Sequence, residues 1–106
     1  MIPTLSLAIC THNPRTDHLE RTLRSLQNQT LPKDQWELLL VDNASTNGVV
    51  DTMDLGWHPH ARVVKEARIG LTMARLRAIE ETSSAYLVYA DDDNEMAPDY
   101  LATMAR

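Results

Sequence analysis

Ala85-Tyr86-Leu87-Val88-Tyr89-Ala90-Asp91-Asp92-Asp93 is the stretch whose reading decides the fold. A short apolar run is followed at once by three carboxylates. Such a run, bounded by a polar stop, reads as a buried strand. The acids then sit at its carboxyl end, the edge where open parallel α/β sheets bind their ligands. Adjacent carboxylates repel, and crowding drives some of them toward the neutral form unless a cation intervenes. Mg²⁺ and Mn²⁺ suit such a place, since they take one or two carboxylates and fill the remaining positions with substrate phosphates and water. An extended backbone would point Asp91 and Asp93 one way and Asp92 the other. The bland alternative is a solvated acidic turn ahead of the last helix.

Working outward, three more apolar runs end in the same manner. Leu5-Ser6-Leu7-Ala8-Ile9-Cys10 stops at Thr11-His12-Asn13-Pro14, and Trp36 to Val41 closes at Asp42-Asn43. Arg62-Val63-Val64-Lys65 reads as a shorter strand. Between the first two, Arg15 to Gln29 spaces Leu19, Leu23 and Leu26 as one face of an amphipathic helix. From Gly70 to about Thr82, good helix formers place Leu71, Ala74, Ala78 and Glu81 on one stripe, with Met73, Leu76 and Ile79 beside it. Val49 to Leu55 reads as a short helix, and Asp99 to Met104 as a last one with Pro98 in its first turn. Alternation of strand and helix predicts an α/β fold: a mostly parallel sheet with helices on both faces. Thr11-His12-Asn13, Asp42-Asn43 and Asp91 to Asn94 then converge on one edge.

Composition narrows the function classes. A chain of 106 residues is at most one domain, and it can bury roughly two-thirds of its unfolded surface. The net charge of -5 argues against nonspecific nucleic-acid binding, which needs a basic surface. Cys10 is the single cysteine, so no intramolecular disulfide and no Cys-rich zinc site can form. No apolar run approaches the length of a membrane span, and Met1-Ile2-Pro3-Thr4 lacks the basic start of a signal peptide. A cytoplasmic location is the expectation. His58 and His60 flank Pro59 without a third ligand and are not read as a metal pair. Taken singly, Asp42 reads as the start of an Asx-turn, Arg75 as a surface arginine, and Thr11 and Asn13 as ordinary turn residues.

Together the blocks carry more. Leu7 to Pro14, Leu19 to Leu26 with Gln29-Thr30, and Leu40 to Gly48 are followed by Gly70-Leu71 with Ala74-Arg75, then Tyr86 to Asp93. In order and spacing this resembles the family 2 glycosyltransferases, over almost the whole chain. The resemblance implies the GT-A fold, a three-layer Rossmann-like nucleotide-binding subdomain. It implies transfer of a sugar from a nucleotide-diphosphate sugar, with UDP as the expected nucleotide, to an unknown acceptor with inversion. Thr11 and Asp42 match positions lining the base pocket, Asn13 a position in the same loop, and Arg75 an arginine that approaches the nucleotide. Asp91-Asp92-Asp93 matches the DxD motif: Asp93 would ligate Mn²⁺ or Mg²⁺ together with Asp91, and Asp91 or Asp92 would contact ribose or a metal-bound water.

Two departures matter. Leu76 follows Arg75 where the family often has Asn. The family's acceptor half and catalytic base lie after the DxD motif, so residues 1–106 are expected to be the donor-binding part of a longer enzyme, with the base beyond Arg106 and no catalytic residue within. Glu95 and Asp99 do not match the base position. An exposed sheet edge is expected to favour association between copies. Two other readings stay open: a non-catalytic nucleotide-binding module, and a metal-dependent nucleotidyl- or phosphotransfer domain. The second usually needs a Gly-rich phosphate loop or a placed lysine, and neither Lys33 nor Lys65 lies in such a loop.

Overall fold

The computed structural model describes residues 3–105; Met1, Ile2 and Arg106, and with them the reading of the first two residues, lie outside it. The elements are β1 (Leu5–Thr11), α1 (Thr16–Gln27), β2 (Trp36–Asn43), β3 (Ala61–Glu66), α2 (Leu71–Glu81), β4 (Tyr86–Ala90) and α3 (Tyr100–Met104). Short 3₁₀ turns occupy Lys33–Gln35 and Val50–Thr52. The expected short helix at 49–55 is thus a single tight turn, followed by extended backbone at Met53. The four strands form one sheet in the order β3-β2-β1-β4, and every pairing is parallel.

Side-chain alternation divides the sheet into two unequal faces. Leu5, Leu7 and Ile9 of β1 and Trp36, Leu38 and Leu40 of β2 pack against Leu19, Leu23 and Leu26 of α1 and Leu101 of α3. This is the thick core. Ala8, Leu39, Val41 and Val64 face the other way and meet Ala74 and Ala78 of α2. Helices therefore cover both faces, as the alternation implied. The stripe on α2 is narrower than the sequence suggested: Leu71, Leu76 and Ile79 are exposed, and only the alanines are buried.

The chain after β4 returns to α1. Gln29 is buried and fixes this return: its Nε2 donates to the carbonyls of Ser25 and Ala97, and its Oε1 accepts from the Leu101 N–H. The Thr30 N–H donates to the Pro98 carbonyl at 2.8 Å and the Met96 N–H to Ser25 Oγ at 3.0 Å. The acidic triplet is thereby suspended between β4 and α1.

Candidate functional site

Parallel register aligns the strand ends. Thr11 is paired with Asp42, and Asp42 with Lys65. Because side chains alternate, these three continue the thick-core face one step past Ile9, Leu40 and Val63. They make a row across β1, β2 and β3. Thr11 Oγ1 donates to Asp92 Oδ2 at 2.5 Å, which carries the row across to the turn after β4. The sheet order places β4 on the opposite side of β1 from β2, so this bond spans the point where strand order reverses. In parallel sheets that is where the ligand crevice opens.

Asp42 is 4% exposed and yet ionised. Burial pushes its carboxyl up, but hydrogen bonds from Lys65 and Ser45 outweigh burial and hold it below the ordinary carboxylate range. Lys65 Nζ lies 2.7 Å from Asp42 Oδ2 and 2.5 Å from Asp51 Oδ1. The Ser45 N–H donates to Asp42 Oδ1 at 3.3 Å. Asp42, Ala44, Ser45, Lys65, Glu66 and Ala67 line a hollow of about 220 Å³. A smaller one, about 100 Å³, is lined by Cys10, Thr11, His12, Asn43, Leu71 and Ala74.

The triplet is not extended. β4 ends at Ala90, Asp92 and Asp93 form a turn, and the Asn94 N–H reaches back to the Asp91 carbonyl at 3.5 Å. The expectation that Asp91 and Asp93 point one way because the backbone is extended is therefore corrected. What separates them from Asp92 is its bond to Thr11, which draws Asp92 inward while Asp91 and Asp93 stay exposed. Among the described residues no three His, Cys, Asp or Glu side chains gather into a metal cluster. One or two exposed carboxylates beside a ligand crevice still fit Mg²⁺ or Mn²⁺, which take their other oxygens from phosphates and water.

The other candidates fall into two groups. Asn13 adopts φ 46° and its side chain holds the 44–48 loop, accepting from the N–H groups of Thr46 (2.7 Å) and Asn47 (3.2 Å). Arg75 arrives from α2 on the thin face. Its guanidinium lies 5.4 Å from the Tyr89 ring centroid, and the Tyr89 hydroxyl donates to its carbonyl at 2.8 Å. Burial raises the nearby Cys10 thiol, with the Arg75 charge partly opposing. Thr11, Asp42 and Asp92 are thus brought together on one face, and Arg75 approaches the same edge from the other.

Sequence reading set Asn43 at the ligand edge without giving it a role, and weighed Lys65 only as a phosphate-loop lysine. Asn43 is buried and bridges three segments: Nδ2 donates to the carbonyls of Glu66 and Arg68, and Oδ1 accepts from the Gly70 N–H. It fixes the start of α2 against the end of β2, and its carbonyl oxygen lies 2.6 Å from His12 Nδ1. The polar stop after Val41 was the one signal for it. Lys65 carried no signal, because its partner is set by strand register.

A parallel α/β sheet with polar strand ends at its reversal point is the class of fold that places a ligand crevice at that edge. Comparison with known proteins is more specific. The sequence pattern of Glycosyl transferase family 2 matches residues 6–106. The chain belongs to that family. Glycosyltransferase AglE of Haloferax volcanii is 27% identical over 95 residues, covering 87% of this chain and 31% of AglE. Mannosyltransferase PcManGT from Pyrobaculum calidifontis, solved in complex with GDP-Man and Mn²⁺, is 28% identical with a TM-score of 0.83, covering 96% of this chain and 31% of that one. S. aureus TarS 1–349 in complex with UDP shares the fold at TM-score 0.84 and 21% identity, over 95% of this chain and 30% of that one. The chain spans between 12% and 39% of the length of the curated relatives it matches.

Proposed function

We propose that this chain is the donor-binding part of an inverting glycosyltransferase that takes a nucleotide-diphosphate sugar, with UDP the first nucleotide to test. The observation that carries this reading is the Thr11–Asp92 hydrogen bond, which joins the β1–β2–β3 row to the acidic turn across the reversal point. A nucleoside diphosphate has two ends, and the edge offers a partner for each. Asp42 accepts an N–H from the base. Asp91 and Asp93 are exposed carboxylates that would hold a divalent ion, and Asp92 is held to the row by Thr11. Arg75 approaches the nucleotide from the thin face. PcManGT, solved with GDP-Man and Mn²⁺, supports metal assistance.

In the transfer, the bond between the anomeric carbon and the diphosphate oxygen breaks with its electron pair on the diphosphate. The acceptor hydroxyl oxygen forms the new bond from the opposite face, and its proton passes to a carboxylate base outside residues 1–106. A divalent ion, when bound, offsets the charge that develops on the leaving diphosphate. Asp91 and Asp93 would hold that ion, Thr11 fixes the position of Asp92, and Asp42 would fix the nucleotide.

Calorimetric titration with UDP-GlcNAc and GDP-Man, with and without Mn²⁺, tests the reading. Saturable binding that weakens at least about tenfold without metal is expected from the loss of charge compensation on the diphosphate. Absence of metal-dependent binding to any nucleotide sugar would overturn it.

A further inference from the structure

Lys65 lies beside the carboxylate assigned to the base, and its hydrogen-bonding capacity is not used up. An ammonium has three donors. One N–H of Lys65 goes to Asp42 and a second to Asp51, at 2.7 and 2.5 Å. That leaves one. The Asp42 carboxylate can accept about four hydrogen bonds, and it has two, from Lys65 and from the Ser45 N–H. Both groups line the same hollow of about 220 Å³. Asp51, itself exposed, is the second carboxylate that the ammonium contacts.

An acceptor next to a donor is a pattern that selects a ligand edge. We infer that Lys65 is a specificity-determining residue, which with Asp42 reads an N–H adjacent to a carbonyl on the nucleobase. Uracil, thymine and guanine carry that edge. Cytosine and adenine carry the reverse, a bare ring nitrogen beside an amino group. With the base held in the same orientation by its ribose and diphosphate, their ring nitrogen would meet the Asp42 oxygen and their amino group the Lys65 ammonium, so both contacts would turn repulsive. The inference rests on the proposed donor site and narrows it: the nucleotide is a uridine, thymidine or guanosine diphosphate. Lys65 has this role through register, because the β2–β3 pairing sets it directly opposite Asp42. It also positions Asp42, since it holds one carboxylate oxygen in place.

The test is calorimetric titration of the chain with UDP, GDP, CDP and ADP in the presence of Mn²⁺, repeated for Lys65→Met and Lys65→Arg, with circular dichroism to confirm folding. The unchanged chain should bind UDP and GDP more tightly than CDP and ADP. Lys65→Met should reduce the UDP-to-CDP affinity ratio about tenfold, the usual scale for one charged hydrogen bond. Lys65→Arg, which keeps a charged donor, should restore most of it. Equal weakening of all four nucleotides by Lys65→Met would show a diphosphate contact or a merely structural role, and would overturn the inference. Equal binding of all four by the unchanged chain would also overturn it, while leaving the donor site standing. No binding of any nucleotide would instead remove the donor site on which it rests. Should Lys65→Met fail to fold, Lys65→Gln keeps an N–H without the charge, and an unaltered ratio in that variant contradicts a charged donor.

Discussion

His58 is the residue whose chemistry leaves the clearest mark on stability. Its ring lies edge-on to Trp36, with centroids 4.3 Å apart, and it is 5% exposed. Its Nδ1 accepts from the His60 N–H at 2.9 Å, which leaves Nε2 buried without a partner. Burial, then the charges of His60 and Lys33, lower its pKa from 6.5 to about 4. The neutral ring is therefore the folded form. Above 6.5 neither state is charged and nothing is lost, whereas between 6.5 and 4 the unfolded chain takes up a proton that the fold refuses. Stability should fall by about 2 kcal/mol between pH 7 and pH 5 in urea unfolding, and His58→Phe should flatten that slope. A slope unchanged by the substitution would contradict the account. Glu66 acts in the same direction lower down. Hydrogen bonds from Arg68 hold it at about 2, so its stabilisation is complete above the ordinary 4.5 and is lost as pH falls from there toward 2. Asn43→Ala removes three hydrogen bonds, one buried and two part-buried, and should cost about 2–3 kcal/mol, read by the same method. At this scale the sequence announces Asp42 and the aspartates by their places after apolar runs. It marks Gln29 only as part of a motif block and cannot announce the partners of Lys65 or Gln29, because these come from register and from a chain return that no local pattern encodes.

At the scale of the element, α1 and α2 differ in what they bury. On α1 the spacing of Leu19, Leu23 and Leu26 marks the buried face, and all three are buried. On α2 apolar residues surround the helix, so periodicity gives a stripe without saying how wide it is. The sheet decides: β1 offers Ala8 and β2 offers Leu39 and Val41, and α2 packs there through Ala74 and Ala78 alone. Small residues let the helix lie close, and there is no room for more. Ala78→Leu should therefore cost about 1–3 kcal/mol by overpacking. Leu76→Lys, on the 42% exposed neighbour, should change stability by no more than about 0.5 kcal/mol. Thermal unfolding of the two variants separates them, and equal effects would mean that the buried stripe is wrongly placed. Boundaries were less legible than elements. β2 runs through Asp42 and Asn43, beyond its apolar residues, because parallel pairing with β3 continues to Glu66.

Over the whole molecule, alternation of strands and helices made the parallel sheet readable; β1 to β2 and β2 to β3 join neighbours, while the connection through α2 carries the chain from β3 across the sheet to β4 on the far side of β1. The convergence of strand ends was readable too, while the bond that closes it, Thr11 to Asp92, was not, since it joins residues 81 positions apart. Tyr86 on the β4 edge is 59% exposed, so copies are expected to associate at high concentration and Tyr86→Lys to reduce this in light scattering. A monomer at every concentration would contradict that. Among the described residues no helix is long and apolar enough to cross a membrane. A groove of about 270 Å³ between α1 and the 52–57 segment, lined by Glu20, Leu23, Arg24 and Trp57 among others, contains none of the strand-end residues. It is a built-in control for the central claim, that the nucleotide binds at the carboxyl ends of the strands. Backbone amide shifts of the ¹⁵N-labelled chain titrated with UDP and Mg²⁺ test this most directly. The account predicts shifts concentrated at Thr11, Asp42, Lys65 and 91–94, with Leu23, Arg24 and Trp57 unmoved. Shifts centred on that groove, or none at the strand ends at saturating UDP, would contradict it.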